Sequence, residues 1–147
     1  MDIQITGLQE VQRRLTEAPS VLVEKVFTQA LDRAAGVIAA ELEARTPVGE
    51  EEELAENVIV KVAIDPGKRG GTAAVGFSSR QSSRTGKPFD LIALWVEYGH
   101  RLLSHKRKAI GHVPAHPFMR PAALASADKA AETFADVLIE NLKVIGE

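Results

Sequence analysis

Apolar residues recur every three or four positions over two long stretches of the chain, the spacing that places them on one face of an α-helix. In residues 20–45 this stripe comprises Val23, Val26, Phe27, Ala30, Leu31, Ala34, Ile38 and Leu42. In residues 121–145 it comprises Leu124, Ala127, Ala131, Phe134, Leu138, Leu142 and Ile145. Pro47 disfavours helix at the residue before it, whereas Pro121 is tolerated in a first turn. The pattern therefore predicts two long amphipathic helices.

Between these two helices the apolar period shortens to two residues, which indicates β-structure. The segment "NVIVKVAID" places Val58, Val60, Val62 and Ile64 on one face of a strand. The turn sequence "PGKRGG" separates it from "TAAVGFS", so the two runs predict a hairpin. Short helices are predicted over "TGLQEVQRRL" and residues 89–98, with Gly99 ending the second. Residues 79–88 and 100–117 are polar and basic and predict two loops, the first of them mobile.

These elements predict an α+β fold: two long amphipathic helices packed on a small antiparallel β-sheet, with short extra helices and long basic loops. A length of 147 residues suits a single domain over residues 1–147. The chain contains no cysteine, which excludes disulfides and thiolate chemistry. Its apolar runs are short for a membrane span, and the start "MDIQITG" does not resemble a signal peptide. We therefore expect the protein to be made in the cytosol.

The formal net charge of −2 conceals two segments of opposite sign. Residues 41–56 hold seven glutamates against Arg45, whereas residues 80–108 hold seven lysines and arginines against Asp90 and Glu97. Opposite patches on one small domain can pair head to tail between copies of the chain. The alternative interpretation is that both segments are solvated loops.

The candidates for metal binding are weak. His112 and His116 are four residues apart, a spacing at which two histidines on a helix can bind zinc. Pro114 lies between them and disfavours a regular helix there. No carboxylate lies in this loop to orient an imidazole, and the acidic run at residues 50–53 lacks the glycine and alternating ligands of a calcium loop. We expect no metal and no cofactor.

Glu97 is the strongest candidate for acid–base chemistry, because its neighbours Trp95, Val96 and Tyr98 could raise its pKa. No motif supplies a second titratable group beside it, so a cap or an ion pair at a helix end is the competing interpretation. We expect no catalytic residue and no enzymatic activity. A hydrolase that uses Glu97 and a histidine stays open as a remote alternative.

The basic loops also suggest contact with nucleic acid. The stretch "RLLSHKRKAIGH" clusters bases that favour phosphate, but it contains no aromatic side chain on which a nucleobase could stack. Such a chain can touch DNA without reading its sequence.

Two motifs hold the most distinctive residues: "ALWVEYGH" at 93–100, with the single Trp and the single Tyr, and "PAHPFMRPAA" at 114–123. Together they resemble the gene-product-ten-like family of siphophage neck proteins, the tail-completion or head–tail joining proteins. In that family a short helix ending aromatic–hydrophobic–Glu–aromatic–Gly precedes a loop, and Pro-Phe-x-x-Pro-Ala then opens the last helix. The opening "ITGLQEVQRRL" and the segment "ARTPVG" also resemble the family, whereas "EEEELAENVIV" departs from it and changes the sign of that surface.

The resemblance implies a structural virion protein, assembled in the host cytoplasm, that completes a tail and joins it to the head connector. It implies a ring around the DNA channel, with six copies to match the tail, and contacts with tail-tube or tail-terminator proteins. Tail terminator, head-closure protein and a non-specific DNA-binding protein are the alternatives. The residues expected at interfaces are Trp95, Glu97, Tyr98, Phe118, Arg120, Glu51, Glu52, Arg84, Arg101, Lys106 and Arg107.

Overall fold

The computed structural model describes residues 8–47, 52–65 and 70–145. Its helices and strands are α1 (Leu8–Glu17), α2 (Ser20–Arg45), a 3₁₀ helix (Glu52–Asn57), β1 (Val58–Ile64), β2 (Gly71–Phe77), α3 (Phe89–Tyr98), β3 (His100–Leu103), β4 (Ala109–Val113) and α4 (Met119–Ile145). Strands β1 and β2 form one two-stranded antiparallel sheet, and β3 and β4 form another. The predicted α+β class, with two long helices and a small antiparallel sheet, is confirmed.

The described chain forms two compact units. The first comprises residues up to Val37 together with Val60–Ala74 and Ala127 onward. Its core brings Val26 and Ala30 of α2 against Leu138 of α4, and the rings of Phe27 and Phe134 lie 6.1 Å apart between centroids. The stripe predicted on α2 is thus a packing surface.

The second unit comprises Ile38–Ile59 and Val75–Ser126. Its core contains, from the end of α2 to the start of α4, Leu42, Leu54, Phe77, Phe89, Ile92, Ala93, Phe118 and Ala122. Aliphatic and aromatic side chains from five different elements therefore meet in one cluster. Their burial stabilises the unit by roughly 1.5–3 kcal/mol for each large side chain.

The stripe predicted on α4 is wrong at its start. Leu124 is 75% exposed and Ala127 is exposed, whereas Ala122, Ser126 and Ala130 are buried. The buried positions repeat at intervals of four residues, and Ser126 fits among them because its hydroxyl donates to the Ala122 carbonyl at 2.7 Å. A polar residue that satisfies its own hydroxyl in this way can occupy an apolar face.

The two predicted loops both have more structure than expected. Residues 100–113 form the β3–β4 hairpin, in which His100 pairs with Val113 and Leu102 with Gly111. The segment 79–88 is closed by a bridge between Gln81 and Pro88 and by the Ser82 amide, which donates to the Lys87 carbonyl at 2.9 Å. The predicted loop at 79–88 is therefore a hydrogen-bonded turn.

Candidate functional site

The two distinctive motifs meet through one carboxylate. Glu97, in the last turn of α3, is buried and accepts hydrogen bonds from three successive backbone amides at the start of α4. The amides of Phe118 and Met119 donate to Oε2 at 2.7 and 2.8 Å, and that of Arg120 donates to Oε1 at 3.3 Å. The first amides of a helix have no partner within it, so Glu97 caps α4 from outside.

Burial and hydrogen bonding act on this carboxyl in opposite directions. Burial by itself raises the pKa of Glu97, because the charged form loses its hydration. The bonds from the Phe118, Met119 and Arg120 amides, with the nearby Arg120 guanidinium, outweigh that effect and lower the pKa overall. Glu97 is therefore a carboxylate at neutral pH, and the cap interpretation replaces that of a general acid with a raised pKa.

Gly99 makes the approach of the two motifs possible. It ends α3 with φ +71°, a conformation that glycine adopts without a steric penalty. A Cβ atom at this position would lie 2.5 Å from the Val113 carbonyl oxygen and 2.8 Å from the Ala115 amide nitrogen. One residue further along, the His116 amide donates to the Val96 carbonyl at 2.7 Å. The backbone of residues 113–116 thus lies directly against the end of α3.

The aromatic residues of the two motifs have different environments. Phe118 is buried, and its ring meets that of Phe77 nearly edge to face at 5.9 Å between centroids. Trp95 is half-buried, with its ring 5.2 Å from that of His100. Tyr98 is 64% exposed. Trp95 and Phe118 therefore serve internal packing, whereas Tyr98 is presented to the outside.

An apolar groove of about 300 Å³ opens beside this junction. It is lined by Leu42, Val75, Leu94, Met119, Ala122 and Ala123, and also by Ile38, Glu97, Tyr98 and Arg120. Leu94 is 47% exposed although it is a large aliphatic residue. The groove belongs wholly to the second unit, and its lining is mainly apolar.

The interface residues predicted from the sequence fall into four groups, of which the first is Trp95 alone, which is half-buried. Glu97 and Phe118 are buried within the chain, and their place at an interface stays a prediction. The exposed residues are Tyr98, Arg101, Lys106, Arg107, Arg120 and Arg84. Glu51 lies outside the described residues, and Glu52 is described only as the first residue of the 3₁₀ helix.

The acidic and basic segments touch within a single chain. The Ser83 hydroxyl, in the turn at 79–88, donates to the Glu53 carboxylate of the 3₁₀ helix at 2.8 Å. This contact shows that one glutamate of the acidic segment is engaged inside the second unit. The other prediction for these segments, that they meet between copies, stays a prediction.

The hairpin carries apolar residues that the sequence interpretation missed. Leu102, Leu103 and Ile110 are all exposed, the last by 68%. The short apolar runs on either side of "SHKRK" indicate two strands. The many basic residues and histidines in the same segment led to the prediction of a loop instead. The surface is therefore mixed, apolar as well as cationic.

The residues that the structure describes offer neither a metal-binding cluster nor a helix that could span a membrane. Within the described ranges, no cluster of three His, Asp or Glu side chains is placed to hold a metal ion. His112 is exposed and pairs across the hairpin with Arg101, and His116 is exposed after β4. None of the helices described here combines the length and the apolar character needed to cross a bilayer.

The comparison with known families identifies a class of protein, a component of bacteriophage tails. The chain belongs to the HK97-gp10-like family, described as "Bacteriophage HK97-gp10, putative tail-component", whose family model matches residues 9–99. The match ends at Gly99, so it contains Glu97 and all but the last residue of "ALWVEYGH", but not "PAHPFMRPAA". No curated protein and no solved structure matches the chain. The expected resemblance is confirmed, together with a structural role in phage tails and a place in the virion.

Proposed function

We propose that this protein completes the phage tail at the neck and joins it to the head connector, as a ring of copies around the DNA channel. The observation that carries the proposal is membership of a tail-component family over residues 9–99. Six copies would match the symmetry of the tail, and rings arise when head-to-tail contacts close by rotation. The partners are other copies of the chain, the tail-tube or tail-terminator protein and the head–neck connector proteins, met during assembly in the host cytoplasm.

The proposed role requires no catalysis. Glu97, the best candidate for a general acid, has its carboxylate held by three backbone amides. This engagement supports a role in which Glu97 fixes the geometry of the α3–α4 junction. Residual hydrolytic activity that disappears in Glu97→Gln, while the fold is retained, would contradict it.

The experiment is electron microscopy of lysates from the phage with this gene deleted. Filled heads beside separate tails of normal length are expected from a joining protein. Overlong tails would indicate that the protein is a tail terminator, and heads that lose their DNA would indicate that it is a head-closure protein. Normal infectious particles would refute the structural role at the neck.

Direct DNA contact is a second candidate, because residues 98–127 contain no Asp or Glu and the hairpin exposes Arg101, Lys106 and Arg107. Binding of duplex DNA by the purified protein should then weaken steeply with salt. The logarithm of the binding constant should fall linearly with the logarithm of the salt concentration, with a slope set by the number of phosphates neutralised. The neck role predicts little duplex binding by the free protein at physiological salt.

A further inference from the structure

We propose that the open edge of strand β2 in one copy of the chain pairs with the open edge of strand β1 in the next copy. The inference deepens the proposed ring and rests on it. Among the residues that the structure describes, the β1–β2 sheet has two strands, so each strand is bonded on one side and open on the other. One chain thus offers two different edges, and contacts between unlike surfaces are those that close copies into a ring.

The register of the sheet identifies the backbone groups at the open edge of β2. The Ser78 amide donates to the Asn57 carbonyl at 2.9 Å, and the Asp65 amide donates to the Gly70 carbonyl at 3.0 Å. Both bonds fit one uninterrupted antiparallel register, in which every second residue bonds to the neighbouring strand. Even-numbered residues of β2 therefore direct their N–H and C=O groups toward β1, whereas Ala73 directs its groups outward.

Ala73 is uncovered although it lies on the packed face of the sheet. The register sets it across from Val62, and Val75 and Phe77 share its face. Those three side chains are half-buried or buried, whereas Ala73 is exposed. Within the described part of the chain, no backbone hydrogen bond outside the helices and strands involves Ala73. A strand added about 4.8 Å away would cover this side chain and bind its N–H and C=O groups.

Strand β2 lacks the features that normally prevent two sheet edges from pairing. Its sequence "GTAAVGF" has no charged residue and no proline. The β3–β4 hairpin, in contrast, has an irregular register between Leu102 and Leu103 and carries Arg101 on β3. Charges, prolines and bulges discourage edge pairing, and an edge without them is a template for another strand. The open edge of β2 therefore fits an extended strand as its partner.

The charge on β1 favours the pairing of unlike edges. The one charged residue of β1 is Lys61, which is exposed. Pairing β1 with β1 of another copy would place two Lys61 side chains on neighbouring strands, and like charges there are destabilising. Pairing β2 with β2 would make a closed two-fold contact and leave both β1 edges open. Pairing β2 with β1 avoids this repulsion and uses both edges of every copy.

Cysteine cross-linking tests the contact directly, because the chain has no cysteine. Ala63 of β1 and Ala74 of β2 are exposed, so each can be replaced without disturbing the core. We would assemble particles from a mixture of Ala63→Cys and Ala74→Cys proteins, so that a short bismaleimide joins only different copies. The matched control replaces Ala63→Cys by Ala127→Cys, at an exposed alanine of α4.

We expect cross-linking roughly tenfold faster in the mixture than in the control, since paired strands give the two thiols a high effective concentration. Equal rates would overturn the proposal. Faster joining of two Ala74→Cys chains to each other than to Ala63→Cys would also overturn it, because β2 would then pair with β2.

Two proline variants separate the contact from folding. Ala73→Pro removes an N–H that points away from β1, so the purified protein should keep its circular dichroism but should no longer be incorporated into particles. Ala74→Pro removes an N–H directed toward β1 and should strongly destabilise the chain itself. If Ala73→Pro is incorporated normally, or loses as much stability as Ala74→Pro, the proposal is wrong.

The proposed function and the strand pairing fail in different ways. Normal particles from the gene deletion would refute the proposed function. Failed cross-linking in particles that need the protein would refute only the pairing of β2 with β1.

Discussion

Replacing Glu97 by Gln tests whether the α3–α4 junction depends on a charged cap. The amide oxygen of Gln can keep two acceptor bonds, but its NH₂ group would face the Arg120 amide, and the negative charge beside the helix N-terminus is lost. Hydrogen bonds to a charged group contribute about 1.5–3 kcal/mol, against about 0.5–1.5 kcal/mol for neutral ones. The charge at a partly buried helix terminus contributes up to ~2 kcal/mol. We expect the free energy of unfolding to fall by about 2–3 kcal/mol.

Urea unfolding at neutral pH measures this loss. With m-values of about 1–3 kcal/mol/M, the midpoint should fall by roughly 1 M. Glu132→Gln makes the same chemical change on an exposed position of α4 and should change the free energy of unfolding by less than about 0.5 kcal/mol. Glu97→Asp keeps the charge on a shorter side chain and should give an intermediate loss, because fewer amides can be reached.

The pH dependence gives a sharper test. Because the folded pKa of Glu97 is lowered, its stabilisation is fully present above the unfolded value of about 4.3 and is lost as the pH falls through the folded pKa. The difference in the free energy of unfolding between wild type and Glu97→Gln should therefore shrink on acidification. The other carboxylates contribute equally to both proteins, so their effects cancel in this difference. Equal midpoints at neutral pH, or a difference that stays constant down to about pH 3, would refute the reasoning.

Two further predictions concern the core and the end of α3. Gly99→Ala should destabilise the protein by about 2 kcal/mol or more, because its Cβ would meet the Val113 carbonyl at 2.5 Å, whereas Gly36→Ala, with open space around it in α2, should stabilise it by up to about 1 kcal/mol. Thermal unfolding compares the two, and a neutral Gly99→Ala would contradict the described backbone. Leu138→Ala should cost about 2–5 kcal/mol and Leu124→Ala less than about 0.5 kcal/mol, since Leu138 is buried and Leu124 is exposed. If urea unfolding shows similar losses of stability for both variants, Leu124 is buried as the sequence predicted.

The long helices were predictable because their signals are local. The bounds of α2 follow from Pro19, from Pro47 and from the regular spacing between them, and Gly99 ends α3 as expected. The first residues of the α4 stripe were not predictable in this way. Alanines lie at many spacings in that helix, so they do not indicate which face is buried. Ser126 indicates an exposed position unless its hydrogen bond to the Ala122 carbonyl is known.

The candidate site depends on contacts that no local pattern contains. The sequence allowed Glu97 to be a cap, but not which helix it caps, because the amides it binds lie 21 to 23 residues further along the chain. The β3–β4 hairpin was missed for a related reason. Its strands are short, and the pairing of Leu102 with Gly111 is set by the turn and bulge rather than by a strong alternation.

The fixed ends of the hairpin make it a replaceable module. Gly99 packs against the backbone of residues 113–115, and the Val96 carbonyl holds His116, so the chain leaves and re-enters the core at one place. The tip between Ser104 and Lys108 is closed by its own hydrogen bonds. Its length and chemistry can therefore diverge, or be exchanged for a peptide tag, while the core that carries it keeps its structure.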